Sequence, residues 1–129
     1  QGDTAAAIAD FNRVIELDAY AGEAYHQRAR ARVASNNLPA ALSDYESAIR
    51  LNPVDGGVYK GRADAYAISG DLPAAIQDYS YAIQLDDSYS AAYASRGRAY
   101  YESGDAQSAY QDFTQVIRHD PNASAEAVR

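Results

Sequence analysis

The chain alternates apolar and polar side chains with the spacing of amphipathic helices, most clearly between Gly56 and Leu85. A first apolar stripe is formed by Val58, Tyr59, Ala63, Ala65 and Tyr66. A second stripe is formed by Leu72, Ala75, Ile76, Tyr79, Ala82, Ile83 and Leu85. Because side chains three and four positions apart share one face of a helix, the pattern predicts two consecutive helices.

Turn-forming residues separate the two stripes. Gly70 suits the left-handed residue that ends a helix, Asp71 is a good N-cap, and Pro73 fits the first turn of the next helix. The same punctuation recurs at Asn36-Asn37 and Gly104-Asp105. We predict helices at about 4–17, 22–35, 38–51, 56–69, 72–85, 90–103 and 106–119, another helix starting near 124, and no strands.

Both stripes recur every 34 residues. One position of the first helix is filled by Tyr25, Tyr59 and Tyr93, and one position of the second by Ala41, Ala75 and Ala109. A period of this length is the signature of stacked supersecondary units. We therefore predict a single all-α domain with complete repeats at 22–55, 56–89 and 90–123. Residues 1–21 form the second helix of a partial repeat, and 124–129 start another.

These positions resemble the pattern of the tetratricopeptide repeat (TPR) family. That pattern has aromatic residues at repeat positions 4 and 24, small residues at 8 and 20, and Gly-Asp at 15–16. The repeat at 56–89 supplies them as Tyr59, Tyr79, Ala63, Ala75, Gly70 and Asp71. The first repeat departs from the pattern with Arg32 where the family has a bulky apolar residue. The resemblance covers essentially the whole chain and implies a right-handed superhelical solenoid of antiparallel helix pairs.

The repeat phase leaves partial units at both ends of the sequence. Residues 1–18 correspond to a second helix without its first, and 124–129 to the start of a first helix. A terminal repeat normally needs a polar outer face. We therefore expect further repeats in the parent protein, and self-association of this chain through its uncovered ends.

Two repeat positions carry opposite charges in every complete unit. Position 7, usually apolar in the family, holds Arg28, Arg62 and Arg96, and position 23 holds Asp44, Asp78 and Asp112. Both positions border the packed face of their helix. We predict structural ion pairs within each repeat: Arg28–Asp44, Arg62–Asp78 and Arg96–Asp112. Pairing with the next repeat is one alternative, and arginines that bind acidic ligands in the groove are another.

The resemblance also implies which surface binds partners. In TPR proteins the first helices line a concave face, mainly through repeat positions 2, 5, 6, 9, 12 and 13. From these positions come the candidate residues Glu23, His26, Gln27, Arg30, Lys60, Asp64, Ser95, Arg98, Tyr101 and Glu102. The cations of this concave face, Arg30, Lys60 and Arg98, could bind the carboxylates of an extended or helical peptide. The alternative is an ordinary solvated face, with the partner bound elsewhere.

The resemblance implies a protein–protein interaction module that binds a peptide or protein partner, within a larger scaffold or adaptor protein. Two alternatives are a self-assembling structural array and a module that targets or regulates an enzyme in the same polypeptide. Some TPR domains clamp the C-terminal carboxylate of chaperones. Lys60 and Arg129 match that clamp, but Asp64 would repel a carboxylate.

Composition argues against other classes of function. The net charge of -7 disfavours a nucleic-acid partner, and no apolar run approaches the ~20 residues of a membrane span. The chain has no cysteine, and His26 and His119 lie in different repeats, so we expect no metal site and no cofactor. No Ser-His-Asp set has a catalytic spacing, so we expect no enzymatic activity. The sequence does not determine the compartment.

Overall fold

The computed structural model describes residues 2–120, and these residues form seven α-helices and no strand. The helices are α1 Gly2–Leu17, α2 Gly22–Ala34, α3 Leu38–Leu51, α4 Gly56–Ile68, α5 Leu72–Leu85, α6 Ser90–Glu102 and α7 Ala106–His119. Their bounds agree with the predicted helices to within two residues. The helix start predicted near 124 lies outside the described residues.

The helices form a solenoid in which each packs mainly on the helix before it and the helix after it. Three-residue turns at 35–37, 69–71 and 103–105 join the pairs α2–α3, α4–α5 and α6–α7. Four-residue connections at 18–21, 52–55 and 86–89 lead from one unit to the next. Connections this short return the chain alongside the helix that it has just left.

The turn within each pair uses one left-handed residue at a fixed repeat position. Asn36 has φ of 62°, Gly70 of 90° and Gly104 of 95°. The following aspartates then cap the second helix, because Asp71 accepts a hydrogen bond from the Ala74 amide and Asp105 accepts one from the Ser108 amide. The predicted helix ends thus have the backbone geometry that their residue types favour.

Small residues and tyrosine rings build the core between the helices. The alanines that recur in the family pattern are fully buried, among them Ala29, Ala63, Ala41 and Ala75 at 0% exposure. Tyr45 and Tyr79 are each 2% exposed and fill the space that the alanines leave. Burying an aromatic side chain of this kind contributes roughly 1.5–3 kcal/mol.

Two glycines permit close approaches that a side chain would block. A carbon added at Gly61 of α4 would lie 2.7 Å from Cε1 of Tyr45, and one added at Gly97 of α6 would lie 2.8 Å from Cε1 of Phe113. Gly61 therefore fixes how tightly α4 sits against the ring of the preceding repeat. This contact sets the position of α4 relative to α3.

Candidate partner-binding surface

Each complete repeat contains an arginine that makes two hydrogen bonds to one aspartate. Arg62 donates from Nε to Asp78 Oδ2 at 2.7 Å and from Nη2 to Oδ1 at 2.9 Å. Arg28–Asp44 and Arg96–Asp112 have the same bidentate geometry. The bond to Asp78 raises the pKa of Arg62. Asp78 is 2% exposed, so these arginines are directed at buried carboxylates within their repeat and not into the groove.

Aromatic rings enclose the arginines of the second and third repeats. The guanidinium carbon of Arg62 lies 6.0 Å from the ring centroids of Tyr59 and Tyr66. In the first repeat, Arg32 takes the place of Tyr66 and donates from Nη1 to Asp44 Oδ2 at 2.9 Å. The departure from the family pattern at Arg32 therefore gives Asp44 a second cation.

Two of the three paired arginines also bond to the preceding repeat. Arg28 Nη1 donates to Asn12 Oδ1 at 2.7 Å, and Arg96 Nη1 donates to Ser80 Oγ at 3.0 Å. Asn12 and Ser80 lie two repeats apart, at the same position of the second helix. Each of these two guanidinium groups therefore connects three helices.

The first helices α2, α4 and α6 line a groove that contains two adjoining cavities. The larger is about 440 Å³, and its lining includes Lys60, Asp64, Ile68, Ser95, Arg98 and Glu102. The smaller is about 320 Å³, and its lining includes His26, Arg30, Tyr45, Lys60, Asp64 and Tyr89. Lys60 and Asp64 belong to both cavities. Seven of the ten residues predicted for partner binding therefore line this groove.

The other three predicted residues are not in the lining of either cavity. Gln27 donates to Glu23 Oε2 at 2.6 Å and accepts a hydrogen bond from Arg30 at 3.3 Å. Glu23 lines a neighbouring depression next to Asp55. The Tyr101 side chain is 68% exposed. Glu23 and Gln27 thus form a polar set next to the smaller cavity, and Tyr101 is an exposed ring on α6.

A three-residue network forms the junction of the two cavities. Lys60 Nζ donates to Asp64 Oδ2 at 2.9 Å, and the Tyr79 hydroxyl donates to Asp64 Oδ1 at 2.5 Å. Burial and the bond to Asp64 raise the pKa of Tyr79. Tyr79 was identified from the sequence only as a core residue, because it lies in a second helix. Its ring fills the core while its hydroxyl reaches the groove.

The groove combines exposed cations with apolar side chains. Lys60 is paired with Asp64, whereas Arg30 and Arg98 are exposed residues without a carboxylate partner among residues 2–120. Ile68, which is 60% exposed, and Val33 contribute apolar walls to the larger cavity. The surface can therefore hold an apolar side chain and pair with carboxylates beside it. Within residues 2–120, no helix has the length and hydropathy needed to cross a bilayer.

Comparisons with known families identify the repeat. A family profile described as tetratricopeptide repeat matches residues 26–90, and a second profile with the same description matches residues 90–122. Among curated proteins, no sequence matches the chain significantly.

Solved structures share the fold. The crystal structure of MamA superposes with a TM-score of 0.87 at 22% identity, over 93% of this chain and 70% of MamA. MamA from Desulfovibrio magneticus RS-1 (residues 41 to the end) gives a TM-score of 0.86 at 22% identity, over 93% of this chain and 68% of that chain. The second TPR of RPAP3 (Spaghetti), bound to the HSP90 peptide SRMEEVD, gives a TM-score of 0.74 at 28% identity. That match covers 77% of this chain and 92% of the RPAP3 chain.

Proposed function

The chain belongs to the tetratricopeptide repeat family and is a protein-interaction module, and we propose that it binds its partner in the groove formed by α2, α4 and α6. The observation that carries this proposal is the pair of adjoining cavities that share Lys60 and Asp64. A preformed surface orders little on binding, so more of the contact energy appears as affinity. The RPAP3 domain that binds an HSP90 peptide supports a peptide as the partner.

The groove favours a segment that carries an apolar side chain next to acidic ones. The larger cavity offers Ile68 and Val33 as apolar contacts, with Arg98 in the same lining. Arg30 lies in the smaller cavity, on the far side of the Lys60–Asp64 pair. Charge-assisted hydrogen bonds between arginine and carboxylate are among the strongest that a protein surface offers. We therefore propose an extended or helical acidic–apolar segment as the ligand.

A clamp on a terminal carboxylate is a poorer fit to this groove. Lys60, which matches the clamp pattern, already donates to Asp64. A carboxylate placed beside Lys60 would meet the charge of Asp64 at close range. Arg129, the other matching residue, lies outside the described residues. The proposal therefore assigns recognition to Arg30 and Arg98.

Selection of peptides from a random display library against the wild-type chain tests this proposal. We expect enriched peptides to carry an apolar residue flanked by Asp or Glu. Ile68→Lys should abolish their binding, whereas Ile117→Lys, which changes a similarly exposed isoleucine on α7, should leave it unchanged. Binding that survives at Ile68→Lys and is lost at Ile117→Lys would place the partner on the second helices instead.

Self-association is a second candidate, favoured by the exposed apolar side chains of α7. Tyr110 is 73% exposed, Ile117 52% and Phe113 41%. Light scattering as a function of protein concentration tests it. An increase in mass that disappears in Ile117→Lys would support contacts through α7, and a constant monomer mass for the wild type would contradict them.

TPR domains are typically binding modules without catalytic activity, and we propose that this segment catalyses no reaction of its own. We also propose no nucleic-acid partner, because the net charge of -7 would repel phosphates. The wider role as a scaffold, adaptor or regulator of an enzyme in the same polypeptide is part of the same proposal. The two adjoining cavities of the groove, which can accommodate a bound peptide, support this role.

A further inference from the structure

Three potential metal ligands meet where the first repeat joins the second. Glu23 and His26 lie in the first turns of α2, and Asp55 is the N-cap residue of α4. Their ligand atoms all lie within 4.8 Å of one another. From this arrangement we infer a binding site for a divalent transition-metal ion, with Zn²⁺ as the probe ion.

The histidine supplies an observation that is independent of the acidic residues. Nδ1 of His26 is buried and, within the described part of the chain, has no hydrogen-bond partner. The nearest carboxylate oxygen, Oε1 of Glu23, is 3.7 Å away, which is beyond hydrogen-bond distance. A buried nitrogen without a partner is costly, and a metal ion at this point would satisfy it.

The two carboxylates are each held through one oxygen. Gln27 donates to Oε2 of Glu23 at 2.6 Å, and the Gly57 amide donates to Oδ1 of Asp55 at 3.0 Å. These bonds leave Oε1 of Glu23 and Oδ2 of Asp55 for an ion. Hydrogen bonds of this kind orient metal ligands in known sites.

The distance between His26 and Glu23 is close to that between two ligands of one coordination shell. Metal–ligand bonds of about 2.0–2.2 Å place the ligand atoms of a tetrahedral zinc site ~3.3 Å apart. The 3.7 Å between His26 and Glu23 is near this value. The three ligand atoms lie within 4.8 Å of one another, and small adjustments of the exposed Glu23 and the half-buried Asp55 that keep these hydrogen bonds would bring them to that spacing. One imidazole and two carboxylates suit Zn²⁺ and its neighbours better than Mg²⁺ or Ca²⁺.

The set is specific to this junction. The repeat positions of Glu23 and His26 hold Gly57 and Lys60 in the next unit, and that of Asp55 holds Tyr89. Arg30 and Lys60 line the cavity beside His26 and oppose a cation, so the ion must be held by direct ligation and not by a general negative field. A bound ion would connect α2 to the start of α4 at one end of the groove.

Calorimetric titration of tag-free, chelator-treated protein with ZnCl₂ tests the inference. We expect one saturable site per chain. His26→Gln and Asp55→Asn should each weaken binding at least about tenfold. Asparagine keeps the N-cap acceptor at 55, so this variant should fold like the wild type. His119→Gln, which changes the other histidine, should bind like the wild type.

Two further measurements distinguish a specific metal site from nonspecific binding of cations to acidic side chains. Co²⁺ should give a visible absorption band that His26→Gln loses, and an excess of Mg²⁺ should not displace Zn²⁺. Circular dichroism checks that each variant folds. The absence of a saturable site, displacement by Mg²⁺, or wild-type affinity in His26→Gln would each overturn the inference.

Discussion

The contact between the two helices of a repeat and the groove between repeats differ in how faithfully they recur. Inside the repeats, the two hydrogen bonds of Arg62 to Asp78 are reproduced one repeat earlier and one repeat later. In the groove, one and the same repeat position holds Arg30, then Asp64, then Arg98. Charge is thus constant at the buried pair positions and reversed at this position of the groove.

This difference separates the requirements of the fold from those of recognition. A buried aspartate that lost its arginine would be an unpaired charge, so the pair can change only as a unit. An exposed groove residue has water as an alternative partner and can vary at little cost in stability. The positions at which the repeat breaks down are therefore the ones available for binding.

Removing one member of a buried pair should destabilise the fold strongly. Asp78→Ala leaves the half-buried Arg62 without its carboxylate, and we expect a loss of roughly 3–5 kcal/mol in the free energy of unfolding. Chemical denaturation measures it. Asp10→Ala is the matched control, because Asp10 occupies the same repeat position in α1 but is exposed, and its effect should stay within about 0.5 kcal/mol. Equal losses in the two variants would show that the pair does not stabilise the repeat.

A methyl group at Gly61 should destabilise the fold although this residue lines the groove. Alanine at 61 would push into the buried ring of Tyr45, and we expect a loss of about 1–3 kcal/mol. Gly56→Ala is the control, since a carbon there would lie 3.5 Å from its nearest neighbour, an ordinary contact. If thermal unfolding shows the same midpoint for both variants, packing does not constrain this part of the groove.

Alkaline pH should weaken the fold through the same ring. Burial raises the pKa of Tyr45 from 10.0 to about 12, so the folded chain keeps a proton that the unfolded chain loses. The stabilisation is complete below pH 10 and is lost as the pH rises from 10 to 12. Urea denaturation across this range measures the loss. Tyr45→Phe should reduce the loss, whereas Tyr110→Phe, at an exposed position, should not. Identical pH profiles of stability for the wild type and Tyr45→Phe would contradict the assignment to Tyr45.

The smallest effect is expected at the turn between α2 and α3, where asparagine replaces the glycine of the later repeats. Asn36 has the left-handed conformation that Gly70 and Gly104 adopt in the later repeats. Asn36→Gly should raise stability by up to ~1 kcal/mol, since glycine has no steric penalty at positive φ. Asn37→Gly, at a φ of -107°, should not stabilise. A gain at 37 and none at 36, measured by thermal unfolding, would contradict this explanation.

The sequence predicted the features that depend on local pattern and repeat phase. Gly70 and Asp71 indicated a turn because the preferences of glycine for the left-handed conformation and of aspartate for the N-cap position depend only on neighbouring residues. The spacing between Arg62 and Asp78 indicated a pair because the same spacing occurs three times. The features that it missed occur once and depend on how helices from different segments pack.

Three examples show this limit. The Tyr79 ring lies in the core while its hydroxyl donates to Asp64 in the groove. The periodic pattern of apolar residues indicates the buried ring but not this hydrogen bond. The approach of Asp55 to His26 brings the last residue of the first repeat, which caps α4, back to the first helix of that repeat, and neither residue recurs at its position. The second cation on Asp44, from Arg32, has the same origin, because the family pattern marked Arg32 only as a departure.

The most direct test of the central claim is the affinity of a selected peptide for two charge-reversal variants. Arg30→Glu combined with Arg98→Glu reverses the groove, and Arg50→Glu combined with Arg118→Glu makes the same charge change at exposed arginines of the second helices. We predict, by fluorescence polarisation, at least tenfold weaker binding for the groove variant and near wild-type binding for the control, with equal thermal stability. Equal affinity of the two variants would contradict recognition through the groove.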